Sequence, residues 1–325
     1  MDAQLKEAPN KLERVFEGQF LDSQMFRRYV DNPRFHHNLH GGMPQFKWDG
    51  MNVDDMCRND GLPECLAFPV LAFYYLKILT EKERAKIYLH PKMILPPLYE
   101  RPPDQLERDA FHNDLNEFMT ATRRSQRVGI CYGVQKNADG YHALLFVYDA
   151  PNKRLEIYDP NGRDALYLRP PQPGRTIYDY FIRNKEYYRD QLAVCKIWSP
   201  AYMFQHEDKS CGWWAVVIGL QRMAGVHRRY LITDFRDLRS VMALIFSVIK
   251  SVCKFDDLTS CLHTIKDVDR ALFRCVVPEE RIAEIRALVT LPRSMFDDSP
   301  DVELCADTSS DDSSDSDDVH LGERK

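Results

Sequence analysis

Long apolar runs are missing from this chain of 325 residues. No stretch of about 18 consecutive apolar residues occurs, so no segment is expected to span a membrane. The start, MDAQLKEAPNKLERVFEG, has no apolar core of the kind that marks a secretory leader. No Cys-x-x-Cys pair is found among the nine cysteines, and an odd count does not fit a secreted disulfide framework. These absences point to an intracellular, reducing compartment, nucleus or cytoplasm. A strong charge of one sign is also lacking: the net is −5. Residues 293–325 hold eleven acidic and three basic side chains, a net of −8, which leaves about +3 for the rest. So balanced a body makes no electrostatic case for nucleic acid as a partner. His36, His37 and His40 have no cysteine or acidic companion at ligand spacing, so no metal is expected, nor any other cofactor. No internal repeat is present.

What is present divides the chain into four parts. Residues 1–50 are polar and dotted with aromatics, and read as an N-terminal arm. Patterning tightens over 51–253, the expected catalytic domain. LAFPVLAFYYLKIL (66–79) is apolar enough for a buried helix interrupted or begun near Pro69. IYLHPKMIL (87–95) reads as a strand, a proline-rich connection follows, and a helix is expected around 107–124. RVGICYGV (127–134), HALLFVYD (142–149), RLEIYD (154–159) and LAVCKIWS (192–199) are strand-like. APNK between the second and third is a hairpin turn. From Cys211 a helix begins that is apolar on almost every side, with Gly225 as its stop. Residues 235–252 and 279–290 also read as helices, the second inside an extension over 254–292. The acidic Ser/Asp-rich tail, 293–325, cannot bury enough apolar area to fold and is expected to be disordered.

Four residues carry the chemistry. Cys211 opens the apolar helix, where unpaired N–H groups and the helix dipole favour a thiolate. Gly212 beside it leaves room for a substrate backbone, and Ser210 is a competent N-cap. An inert core cysteine is the competing reading. His142 begins one hairpin strand and Asp159 ends the other, so both stand at the open end of the hairpin. The carboxylate can then fix the imidazole's tautomer and stabilise the imidazolium. Asn161 is the alternative orienter if the register differs. Gln205, six positions before the cysteine, can donate its side-chain amide to an oxyanion alongside the Cys211 N–H. Nucleophile, base, orienter and oxyanion donor together define a cysteine peptidase.

His142 in YHALLFVYD, Asp159 in EIYDPNGR, Gln205, and Cys211–Gly212 appear in the order of the ubiquitin-like-protein-specific (SUMO or sentrin type) cysteine proteases. The chain resembles that family and the related adenovirus-type maturation proteases over roughly residues 51–253. Both spacings, seventeen and six residues, look like the SUMO-protease branch. Asn59–Asp60 before an apolar helix resembles the start of the family core. Two positions depart from the pattern. Ala143 stands where tryptophan usually follows the histidine, and Ser210 where many SUMO proteases have aspartate. The resemblance implies an α+β cysteine-protease fold, with the helix bearing the nucleophile packed on a mixed, mainly antiparallel sheet. It implies hydrolysis of peptide or isopeptide bonds through an acyl-thioester. The partner would be a protein substrate with a Gly-Gly-like cleavage site, either a SUMO- or ubiquitin-like protein or a viral structural polyprotein. A viral enzyme would act in the host cell or virion. The alternatives are an acyltransferase, since effector acetyltransferases use a similar arrangement, and a non-catalytic module that binds ubiquitin-like proteins.

Two smaller signals remain. Leu39-His40-Gly41-Gly42 before Met43 resembles a cleavage sequence of the adenovirus-type proteases, which raises self-cleavage after Gly42. Val302-Glu303-Leu304 loosely resembles a SUMO-interacting motif, a segment that would add a strand to a partner's sheet.

Overall fold

Strand β3 (Gly140–Asp149) has no polar alternation between Ala143 and Tyr148, the pattern of a strand covered on both faces. Successive side chains point in opposite directions. Ala143, Leu145 and Val147 join one buried cluster, and Leu144, Phe146 and Tyr148 the other. In the computed structural model, residues 64–96, 105–137, 140–160, 162, 177–200, 210–232, 235–253, 264–291 and 301–304 are described. The arm over 1–50 with its Gly42 site and histidines, Asn59–Asp60, Asn161, Gln205 and most of the tail lie outside them.

Six strands form one mixed sheet in the order β1 to β6. They are β1 (Ile87–Leu89), β2 (Val128–Asn137), β3, β4 (Arg154–Tyr158), β5 (Lys196–Trp198) and β6 (Val302–Glu303). The pairs β2–β3, β3–β4 and β5–β6 are antiparallel, and β1–β2 and β4–β5 parallel. The fold is α+β. The turn between β3 and β4 is held by Asp149, which accepts from the Asn152 backbone N–H (3.3 Å), the Asn152 amide (2.8 Å) and Arg154 (2.9 Å). Lys153 closes the turn in the left-handed region, φ 50°. Its carbonyl then accepts from the backbone N–H of Cys195 and Lys196, so the turn also seats the start of β5.

Helices cover both faces. Helix α1 (Glu64–Phe73) contains Pro69, as the sequence indicates, and widens into a π turn over Tyr74–Ile78, closed by Leu79 N–H to the Tyr74 carbonyl. The short α2 (Glu81–Arg84) opens on a reciprocal cap between Thr80 and Glu83. Helices α3 (Gln105–Ser125), α4 (Ile177–Arg183) and α5 (Lys185–Leu192) share the cluster that holds Phe146. On the other face lie α6 (Cys211–Met223), α7 (Phe235–Val252), α8 (Ile265–Leu272) and α9 (Glu279–Thr290), together with α1.

Helix α6 is buried along its length from Gly212 to Met223. Its β-branched run, Val216-Val217-Ile218, is a poor helix former alone, so packing fixes the helix more than propensity does. Gly219 permits close approach: a Cβ there would meet Leu71 of α1 at 2.8 Å. Gln221 and Arg222, both buried inside α6, are paired. Gln221 donates to the Val289 carbonyl of α9 (3.2 Å) and accepts from Ile232 N–H (2.9 Å), while Arg222 meets Glu156 of β4.

Several local expectations need correction. The strand read over 87–95 stops at Leu89, and Ile94 makes only an isolated bridge to Gly133. The strand read over 192–199 is three residues long, because Leu192 ends α5 and Ala193 turns left-handed, φ 55°. Ser210 stands at the N-cap of α6 without a side-chain capping bond. The tail is not wholly without structure: Val302–Glu303 pairs with β5, and Leu304 is buried. Composition alone could not foresee this, because the anchors are side chains on distant elements. No disulfide joins the described cysteines. Among the described residues no helix is long and apolar enough to cross a membrane, and no cluster of three potential metal ligands is found.

Candidate active site

The β3–β4 register pairs Leu145 with Tyr158 and Asp149 with Arg154. Carried past Tyr158, it makes Asp159 a diagonal neighbour of His142, within reach of an imidazole. The contact is direct: His142 Nε2 lies 2.6 Å from Asp159 Oδ1. Both side chains are buried, at 5% and 2% exposure. The Asp159 carbonyl accepts from Gly162 N–H (2.8 Å), and Gly162 has φ 77°, so a tight turn fixes the carboxylate's backbone just past β4.

Cys211 comes to the same place from the other direction, as the first residue of α6. The His142 side chain and the backbone N–H groups of Ala143 and Gly212 all act on its sulfur, each favouring the thiolate. Cys211 as a residue is partly buried.

The electrostatics run in one direction. Burial alone would lower the His142 pKa, but the Asp159 charge and hydrogen bond, with the Cys211 sulfur, override it and raise it to about 10. Burial alone would raise the Cys211 thiol, but the His142 hydrogen bond and charge, then the two backbone N–H groups, bring it below its ordinary value. The favoured state is a thiolate–imidazolium pair. Cys131 lies at the other extreme, pushed well above the usual thiol range chiefly by burial.

Behind the pair is a group that the sequence reading missed. Glu156, fully buried on β4, accepts from Arg222 Nε (2.9 Å), Arg154 Nε (3.2 Å) and Tyr158 Oη (2.7 Å). It joins the strand that delivers Asp159 to the helix that begins at Cys211. A signal existed: Glu156 shares its strand face with Tyr158, whose ring belongs to the cluster under α6. A carboxylate at such a position needs a buried cation. Of the sequence-derived set, His142, Asp159 and Cys211 come together, while Gln205 and the alternative orienter Asn161 lie outside the described residues.

The two pKa shifts set a pH window for thiolate reactivity. Thiolate is lost as pH falls through the lowered Cys211 value, and its imidazolium partner is lost as pH rises through about 10. Alkylation of Cys211 by iodoacetamide should therefore fall off at a lower pH than alkylation of an ordinary thiol, which titrates at about 8.5. Peptide mapping of the labelled site checks this. A profile matching that of a free cysteine would show an unactivated thiol.

No protein family's sequence profile matches the chain, and no curated protein does. Two crystal structures of the Legionella pneumophila effector protein RavZ are similar in shape. The first, of residues 1–487, aligns with a TM-score of 0.43 and 13% identity, over 68% of this chain and 70% of that one. The second aligns with a TM-score of 0.39 and 12% identity, over 74% of each chain. Likeness at this level does not bear on chemistry, which rests on the chain's own side chains.

Proposed function

We propose that this chain is a cysteine-type peptidase that hydrolyses peptide or isopeptide bonds after Gly-Gly-like sequences. Its substrate is a SUMO- or ubiquitin-like protein, or a viral structural polyprotein, and its catalytic domain covers residues 51–253. The observation that carries this reading is the Asp159–His142 contact with Cys211, at a helix N-terminus, beside it. The Cys211 thiolate attacks the scissile carbonyl carbon. The His142 imidazolium gives its proton to the departing amine as the C–N bond breaks, which leaves an acyl-thioester. Neutral His142 then takes a proton from water as that water attacks the thioester. The carboxylic acid and the thiolate are released, with His142 again protonated, and the acid gives its remaining proton to solvent. Gln205 and the Cys211 N–H are the proposed donors to the oxyanion.

Electrophilic probes built on the C-termini of SUMO and ubiquitin, and peptides with Gly-Gly-X sites from a viral structural polyprotein, test the substrate class. One set should label Cys211 or be cut after the second glycine, and a Cys211→Ala chain should do neither. Acetyl transfer from acetyl-CoA without cleavage would assign the acyltransferase alternative. Inertness toward every substrate, together with an ordinary pH profile for alkylation, would overturn catalysis altogether.

A further inference from the structure

The outer edge of β5 is covered by a piece of the acidic C-terminal region. Val302 pairs with Ile197 and Glu303 with Lys196, Leu304 N–H donates to the Cys195 carbonyl (2.7 Å), and Arg189 donates to the Leu304 carbonyl (3.4 Å). Side chains in this short strand alternate strictly between acidic and apolar. Val302 and Leu304 enter the apolar cluster that contains Ile197. On the opposite face, Glu303 meets Lys196 Nζ at 2.8 Å, and Asp301 takes both terminal nitrogens of Arg228 at 2.5 and 3.1 Å.

Arg228 makes this edge a built site. It is 4% exposed and stands over the Trp198 ring, 4.9 Å from its centroid. A buried guanidinium needs a counter-charge, and here the carboxylate comes from a segment paired to the sheet over only two residues. So short a ladder is weak by itself, and strand addition of this kind draws specificity from the alternating side chains. When the segment leaves, the edge presents unpaired backbone groups, an apolar surface and two cations spaced for acidic residues two apart.

We propose that the β5 edge is a binding site for an extended peptide of the pattern acidic–apolar–acidic–apolar, which residues 301–304 occupy in cis and which a protein partner carrying the same pattern occupies by exchange. The segment whose sequence indicates strand addition to a partner is used first on the chain's own sheet, so cis and trans pairing exclude one another. The site does not depend on the thiol chemistry.

The test is fluorescence anisotropy with a labelled peptide spanning Asp298 to Ala306, its cysteine replaced by serine. The full chain carrying Val302→Asp and Leu304→Asp, with a vacant edge, should bind it at least tenfold more tightly than the wild-type chain, where the cis strand competes. Reversing the peptide's first anchor (Asp301→Lys) should abolish binding. Glu303→Lys in the full chain breaks only the exposed pair with Lys196 and keeps the core, so it should bind the peptide more tightly than wild type even if the double variant does not fold. A peptide that binds no vacated chain, or a scrambled peptide that binds equally well, overturns the proposal. So does a wild-type dimer that the peptide dissolves, since the occupant is then a second copy.

Discussion

Replacing His142 with alanine is expected to lower the proposed hydrolysis at least about 10³-fold, because one ring serves as the thiolate's counter-ion, the acid for the leaving amine and the base for water. Asp159→Ala should cost less, roughly ten- to a hundredfold, since it removes the ring's orienter and leaves the base in place. The two losses should not add, because the proposed mechanism uses His142, Asp159 and Cys211 as one unit. Their pH profiles should separate them. Without Asp159 the charge that chiefly supports the raised imidazolium pKa is gone, so the alkaline limit near about 10 should move toward neutrality. Initial rates against pH, with thermal melts to confirm folding, measure all of this. Equal and negligible losses at both positions would remove His142 and Asp159 from the chemistry.

Glu156→Ala should be the most damaging single change to stability. It leaves Arg222, on the buried helix α6, without the carboxylate that accepts two of its nitrogens. Breaking a buried pair from one side costs roughly 3–5 kcal/mol. In a chain of 325 residues that lowers the melting temperature by roughly 4–7 °C. The double replacement Glu156→Leu with Arg222→Met should be distinctly milder, because it removes both charges and keeps apolar volume. Calorimetry on the three chains decides, and a Glu156→Ala melt matching the wild type would show that water already reaches the pair.

The sequence made legible those parts whose causes are local. The turn around Asn152 and the two flanking runs imply a hairpin with His142 and Asp159 at its open end, and the 2.6 Å contact follows from that register. Helix α6 was readable because a helix apolar all round belongs in a core, and Gly225, with φ 81°, follows its end. The helices over 235–252 and 279–290 keep their expected limits. What escaped depends on distant partners. Helices α4 and α5 were not foreseen: their Tyr180 and Tyr187 meet Phe111 and His112 of α3 only in the fold. Glu156 meets Arg222 sixty-six positions away, and Asp301 meets Arg228 seventy-three away. No window along the chain contains either pair.

The Gln221–Val289 hydrogen bond has a consequence for how the chain is made. Helix α6 is held by strands synthesised before it and by α9, synthesised some seventy residues after it, through that bond and through Ile285 and Val289. A ribosome that has just released Cys211 therefore holds a chain whose α6 still lacks one of its packing partners, and the helix is fully enclosed only after α9 has cleared the exit tunnel.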